Sequence, residues 1–265
     1  MRKIAQIRPG GSLVLVLFAV YMLVPLLATL NFSLTLGENY TTVAYEKLLR
    51  NEALFEALWH SLLLATLTVL GSLILTLPTL YWVQLKLPQA KPLLEFFTLL
   101  PFIVPPIVMA LGLIRIYSSG PFPITGTPQI LVFSYMMVSL PFMFRAIDNA
   151  LQSIDTHTLT EAAQSLGAGT FTTLRYIIIP NILPGIVSGS LLVFSSALAE
   201  FALANLLVGS AWTTFPVFVS NVGRADGRQA AALAVISFVI TWLVSITILW
   251  SANRAPGQNN ISLNR

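Results

Sequence analysis

Glu161–Pro180 reads EAAQSLGAGTFTTLRYIIIP and lies between two long hydrophobic runs. Thr158 and Glu161 have the spacing of a capping box, so a helix is expected to start at Thr158. Leu159, Ala162, Ala163 and Leu166 then fall at i, i+3, i+4 and i+7, one apolar stripe on a short helix. Gly167 is expected to end that helix, because a left-handed residue is needed there. A second short helix is expected from Thr170 to Ile179, closed by Pro180. The resulting helix–Gly–helix unit is too polar to sit in lipid, so it reads as a loop joining two buried segments.

The rest of the chain is apolar. Of 265 residues, 56% are hydrophobic and 9% charged, against about 25% charged in a soluble domain. Mean hydropathy is +0.81. This is the composition of a polytopic membrane protein. The net charge of +4 is scattered along the chain, which fits loop charges that set membrane orientation and gives no nucleic-acid surface. There is no cysteine, which excludes disulfides and thiolate metal sites. Met1-Arg2-Lys3 and Arg8 make a basic start, but a long apolar run follows without an A-x-A site, so that run is expected to be a retained first span.

Six segments are long enough for a bilayer, which needs about 20 mostly apolar residues. They run roughly Gly11–Phe32, Leu58–Trp82, Leu93–Tyr117, Gln129–Arg145, Ile182–Val208 and Ala230–Trp250, and the fourth has room to extend towards Asp148. An even number puts both ends on one side. With a cytoplasmic N-terminus, the cytoplasmic parts hold Arg2, Lys3, Arg8, Lys86, Lys91, Arg145, Arg175, Arg254 and Arg265, and the outside holds Lys47, Arg50, Arg115, Arg224 and Arg228. Nine against five favours that orientation, with both termini and the Glu161 loop in the cytoplasm.

Proline punctuates the spans at Pro25, Pro78, Pro101, Pro105, Pro106, Pro141 and Pro184. Pro101 with Pro105-Pro106 should bend or break the third span, as a packing kink or as part of a pathway lining. The outer loop Asn31–Ala57 carries Glu38, Glu46, Glu52 and Glu56 and is a candidate surface for a partner. Ser118–Thr127 reads SSGPFPITGT, turn chemistry throughout. The last outer loop, Gly209–Gln229, holds Trp212, Phe215 and Phe218, expected to pack at the membrane interface. The tail after Trp250 reads as polar and loose.

Glu161-Ala162-Ala163, three residues, Gly167, nine residues, then Ile177-x-Ile179-Pro180 resembles the EAA loop of ATP-binding-cassette importer permeases. The family pattern ends I-x-L-P, so Ile179 is the one departure. Taken singly, Glu161 can be a helix cap, Ala162 and Ala163 helix formers, and Gly167 a C-cap; the joint spacing inside a membrane protein carries the resemblance. It extends from about residue 54 to about 251. It implies an all-α polytopic membrane protein with six transmembrane helices and a cytoplasmic EAA coupling loop, about residues 148–180, in a single permease domain spanning 1–265. It further implies a multi-pass protein of the inner (cytoplasmic) membrane that pairs with a second permease subunit, as homo- or heterodimer. Two ATPase subunits and an extracytoplasmic solute-binding protein complete the assembly. Glu161, Ala162, Ala163, Leu166, Gly167, Ile177, Ile179 and Pro180 would then meet the ATPase and transmit its motion.

Glu200 is the one acidic residue deep in a span, in SALAEFALAN, with Asn205 just over a turn later. A charge at mid-membrane costs about 2.5–3.5 kcal/mol on insertion scales. Glu200 and Asn205 are therefore candidates for the solute path; a polar contact between helices, or to a partner subunit, is the other reading. His60, at the start of the second span, reads as interfacial and His157 as solvated; two distant histidines make no zinc site. The chain carries no H-E-x-x-H, G-x-S-x-G or G-x-x-x-x-G-K-[ST]. No cofactor, metal or catalytic residue is expected, and hydrolysis of ATP belongs to a separate subunit. A secondary transporter coupled through Glu200 is the alternative of another class, without an inverted repeat to support it.

The solute is less determined. The sequence resembles the permease branch that includes spermidine/putrescine, 2-aminoethylphosphonate and ferric-ion importers. NEALFEALWHSL at the second span and SLPF at Ser139–Phe142 look like polyamine permeases. The SSGPFPITGT loop and AWTTFPV at Ala211–Val217 look as much like aminophosphonate ones. Glu200, a carboxylate suited to a cation, points to a polyamine.

Overall fold

A computed structural model describes residues 9–37, 39–119 and 121–253. Arg2, Lys3, Arg8, Glu38, Arg254, Arg265 and most of the C-terminal tail lie outside the described residues. The chain divides into two compact units: Met1–Leu54 with Val219–Ile240, and Phe55–Phe218 with Thr241–Arg265.

In the first unit, α1 (Pro9–Leu34) leads into a two-residue antiparallel hairpin, β1 (Thr35–Leu36) with β2 (Asn39–Tyr40), and then α2 (Val43–Leu49). Gly37 turns the hairpin at φ +65°, where a side chain would be strained. The outer loop is thus structured, which its acidic residues gave no means to foresee. The Ser33 and Tyr45 hydroxyls are 2.7 Å apart and tie α1 to α2.

The long helix α3 (Glu52–Lys86) opens the second unit's share of the chain. A 3-10 turn at Pro88–Ala90 then feeds α4 (Lys91–Ile103). The chain breaks at Val104-Pro105 and resumes as α5 (Pro106–Tyr117), the two halves bent by 97°. This is the break expected from the proline cluster: Pro106 stands in the first turn of α5, and Val104 has extended geometry (ψ 126°). There follow α6 (Pro128–Gln152), α7 (Thr156–Ser165), α8 (Thr170–Thr173), a π turn at Leu174–Ile178, α9 (Ile179–Asn181), α10 (Leu183–Ala199), α11 (Ala202–Leu207), α12 (Phe215–Ala225) and α13 (Gly227–Asn253). Among the described residues, five helical stretches are long and apolar enough to cross a membrane, or six if the bent α4–α5 pair counts as one. The fold is all-α apart from the small hairpin, and each span expected from hydropathy overlaps one of these stretches.

Three expected boundaries move. Pro180 does not close the second loop helix; Thr170–Ala199 runs on as one membrane-length stretch. Pro180 falls in the first turn of α9, after the π turn, where a missing N–H costs little. The fifth span is not continuous to Val208 either. It stops at Ala199 and restarts at Ala202. At the other end, α13 carries Ser251, Ala252 and Asn253, which the polar tail was expected to include.

Small residues let α6 and α10 touch. Gly185 faces Ala150, and a Cβ on Gly189 would stand 2.9 Å from the Ala146 methyl. Gly-xxx-Gly against Ala-xxx-Ala is a spacing that brings membrane helices into backbone contact. Met143, Ile147 and Leu151 of α6 bury there against Ile182, Ile186 and Val193. A second apolar cluster joins Leu64 of α3, Ala110 of α5, Tyr135 of α6, Ala197 of α10 and Leu203 of α11. Ion pairs Lys91–Asp148 (2.7 Å) and Arg145–Glu95 (3.1 Å) fasten α4 to α6. Phe215 and Phe218, expected at the membrane interface, are instead buried on α12.

Candidate functional site

The loop between α6 and α10 is built from its caps. Asp155, not Thr158, caps α7: its carboxylate accepts from the Thr158 N–H (3.1 Å) and hydroxyl (2.7 Å). Those hydrogen bonds, the hydroxyl's first, hold the Asp155 carboxyl below the usual carboxylate range. The capping box therefore does not form. Asp155 lies three residues before Thr158 and outcompetes it as the acceptor, and the helix starts at Thr156. Glu161 is left exposed, its carboxylate unpaired among the described residues.

The expected apolar stripe also splits. Ala163 is buried and Leu159 packs on the α6–α10 cluster, while Ala162 is exposed and Leu166 is 90% exposed. Threonines take part of the inner face instead. Thr156 and Thr160 are buried because their hydroxyls donate to the carbonyls of Leu151 and Thr156, and the Thr160 hydroxyl lies 3.1 Å from that of Tyr81 on α3. Helical periodicity counted these threonines as polar and so set the stripe partly off the buried face: Leu159 and Ala163 lie on it, Ala162 and Leu166 do not.

Gly167 ends α7 as expected, at φ +84°. The Ala168 N–H donates to the Ala163 carbonyl (3.0 Å) and the Gly167 N–H to the Gln164 carbonyl (2.9 Å), a Schellman pair. Beyond it, Phe171 and Tyr176 are 71% and 68% exposed, with the Arg175 guanidinium 5.6 Å from the Tyr176 ring centre. Ile177 and Ile179 pack against the α6–α10 cluster and Pro180 is exposed. The loop thus presents Ala162, Leu166, Phe171 and Tyr176 outward on a helix pair pinned from behind. Phe171 and Tyr176 were missed from sequence, where only the motif positions drew attention.

Glu200 occupies the break between α10 and α11, not the interior of a helix. Its backbone is extended (ψ 113°), and one carboxylate oxygen accepts from the Leu203 N–H at 3.0 Å. The Tyr135 hydroxyl donates to the Glu200 backbone carbonyl at 3.0 Å. A break inside a span leaves backbone groups that lipid cannot satisfy, and these two bonds satisfy two of them, the Leu203 N–H and the Glu200 carbonyl. Glu200 is half-buried. Asn205 is exposed on α11, with no bond to Glu200.

His60 is not simply interfacial. Its ring stacks on Trp212 (centroids 3.9 Å apart), and Nδ1 lies 3.0 Å from the Thr213 carbonyl. The Ser61 hydroxyl beside it accepts from the Phe215 N–H at 2.7 Å. Together they clip the segment before α12 onto α3. His157 is exposed as expected, and its Nε2 reaches the Gln84 carbonyl at 3.2 Å.

Irregular backbone at the depth of a span survives only against protein or water, so the breaks at Val104-Pro105 and Glu200 belong to a transport fold and not to a lipid anchor. The sequence comparison gives the family. Residues 87–254 match the model of the binding-protein-dependent transport system inner membrane component, and the chain belongs to that family. It is a multi-pass inner-membrane permease of an ATP-binding-cassette importer, a class whose ATPase is a separate subunit. It is 30% identical over 237 residues to the spermidine/putrescine transport system permease protein PotB of Salmonella typhimurium, covering 81% of this chain and 80% of that one. It is 28% identical over 218 residues to PotC of Escherichia coli K12, covering 79% and 78%. The fold is similar to a chain of a bacterial transporter that imports the acidic polysaccharide alginate (TM-score 0.74, 16% identity, 92% and 93% covered). It is also similar to a chain of the MetNI methionine transporter (TM-score 0.58, 19% identity, 76% and 93% covered).

Proposed function

We propose that this permease carries a polyamine of the spermidine/putrescine class. The observation that carries the reading is Glu200. Its carboxylate stands half-buried at a helix break, with one oxygen on the Leu203 N–H and the other without a partner among the described residues. A membrane-buried carboxylate left with a spare oxygen suits a solute that brings its own cationic donors. Asn205, exposed a little further along α11, adds a neutral contact to the same path. The polyamine systems named for PotB and PotC support the same solute class.

The chain works in an assembly with a second permease subunit, two ATPase subunits and an extracytoplasmic binding protein. The loop of about residues 148–180 lies in the cytoplasm with both termini, following the Lys/Arg balance. Ala162, Leu166 and the Glu161 carboxylate meet the ATPase there. Ala163, Gly167, Ile177, Ile179 and Pro180 hold the loop's shape.

The test is uptake by the assembly reconstituted with its partners, using labelled spermidine, putrescine, 2-aminoethylphosphonate and ferric ion. ATP-dependent uptake of the two amines in preference to the others is expected. Preference for aminoethylphosphonate or ferric ion overturns the solute reading and leaves the family unaffected.

A further inference from the structure

Between α3, α4 and α6 runs a groove of about 130 Å³, lined by Leu75, Leu94, Leu140 and Phe144 with three threonines among them. We propose that it seats an acyl chain of an anionic phospholipid of the cytoplasmic leaflet, whose phosphate rests on Arg145. The cytoplasmic side follows from the orientation proposed above; the solute has no part in it.

What the groove shows is carbon. Thr79 and Thr98 spend their hydroxyl hydrogens on their own helices, donating to the Leu75 carbonyl (2.6 Å) and the Glu95 carbonyl (2.8 Å). The Thr76 hydroxyl is buried, without a partner among the described residues. An amine, a phosphonate or a metal ion would lose water here and find nothing to replace it. A hydrocarbon chain gives up no hydrogen bond and gains van der Waals contact with three helices.

Depth limits what can reach it. Trp82, 55% exposed, stands three residues beyond Thr79 on α3, and an exposed Trp on a span sits at the headgroup level. Lys86 ends α3 and Lys91 opens α4, so Thr79 and Leu94 lie within about two turns of the membrane surface. A lipid or another membrane helix can meet the groove there.

The charges choose between the two. Arg145 follows Phe144 of the lining, and its side chain is 62% exposed. One of its nitrogens meets Glu95 at 3.1 Å, which leaves other donors of the planar fork for a phosphate. Lys86 is exposed and pairs with no carboxylate among the described residues. Lys91 is engaged by Asp148 at 2.7 Å. The rim thus sets three cations, Lys86, Lys91 and Arg145, against two carboxylates, Glu95 and Asp148. An anionic headgroup meets that surplus; the apolar face of a membrane helix brings no anion to it. Basic residues at the cytoplasmic rim of a cleft between membrane helices are the chemistry that holds anionic lipid. A seated chain also touches α4, the first half of the span that breaks at Val104-Pro105.

The test uses the assembly with its partner subunits in phosphatidylcholine vesicles holding a trace of phosphatidylglycerol with a photoreactive diazirine on its acyl chain. After irradiation, adducts on this chain are mapped by peptide. They should concentrate on residues 75–80, 94–98 and 140–144, and unlabelled phosphatidylglycerol should displace them where added phosphatidylcholine does not. Leu140→Trp, which fills the groove, should remove most of these adducts; Leu192→Trp, at an exposed position of α10, should leave them. Arg145→Gln should weaken displacement by phosphatidylglycerol about fivefold, the worth of one basic residue near an anionic surface. Subunit ratio is measured for each variant; where Leu140→Trp fails to assemble, Arg145→Gln and the wild-type competition decide. Adducts spread evenly over the exposed apolar faces, equal displacement by the two lipids, or no adduct on those three segments, as when a second permease subunit covers them, overturns the site.

Discussion

The Glu200 carboxylate caps the start of α11, and in the proposed path it also meets the solute; a single substitution separates the two roles. Glu200→Gln keeps an oxygen for the Leu203 N–H, so the start of α11 stays capped, and removes only the charge. Assembly should be unchanged, and apparent affinity for the solute should fall by about tenfold, the worth of about 1.4 kcal/mol between a charged and a neutral acceptor. Transport kinetics and subunit ratio measured on one preparation check this; lost assembly would make the residue structural. Ala162 and Ala163 are adjacent in sequence and opposite in environment. Ala162→Asp should leave this chain's membrane level normal and weaken ATPase attachment, because its side chain lies in the open. Ala163→Asp puts an unpaired charge into a buried position and should lower the chain's own level and thermal stability. Measuring both quantities for both variants tests the assignment of the outward face, and equal behaviour of the two would refute it. None of this asymmetry was legible in EAA itself, because Thr156 and Thr160 bury by bonding to the backbone, which an apolar count does not register.

At the scale of elements, Gly167 is a conformational requirement that sequence alone located. Its φ of +84° and the Schellman bonds behind it turn the chain from α7 towards α8. No side-chain atom lies within 4 Å of where a Cβ would go, so the constraint is backbone geometry and not space. Gly167→Val should therefore cost about 1–3 kcal/mol, while Gly167→Asn, which tolerates the left-handed region, should cost less. Thermal unfolding of the purified assembly, with the subunit ratio, is the measurement; equal losses for Val and Asn would mean that bulk and not φ decides. Pro105-Pro106 were equally plain, since each restricts its own φ and its predecessor. Pro180 misled for the same local reason. Proline ends a helix only where its N–H is needed, and the preceding π turn put it in a first turn instead.

For the whole molecule, the expectation is one of sidedness. Six spans with a cytoplasmic N-terminus place Ser165 of α7 inside and Ser119, between α5 and α6, outside. In intact cells an impermeant thiol reagent should label Ser119→Cys and spare Ser165→Cys, both exposed positions. The reverse pattern would put the coupling loop out of reach of any ATPase and remove that role from it.

The sequence by itself determined the class, the spans and the loop. Those depend on composition, on runs of about 20 apolar residues and on motif spacing, all of them local in the chain. Tertiary structure alone decided which face of α7 is outward, that Glu200 stands at a break, and that His60 meets Trp212. The break at Glu200 is held by Tyr135, 65 residues away, and α7 is held by Tyr81, 79 residues away. Backbone groups freed inside a membrane must find partners wherever the fold brings them, and no window along the chain contains both halves of such a bond.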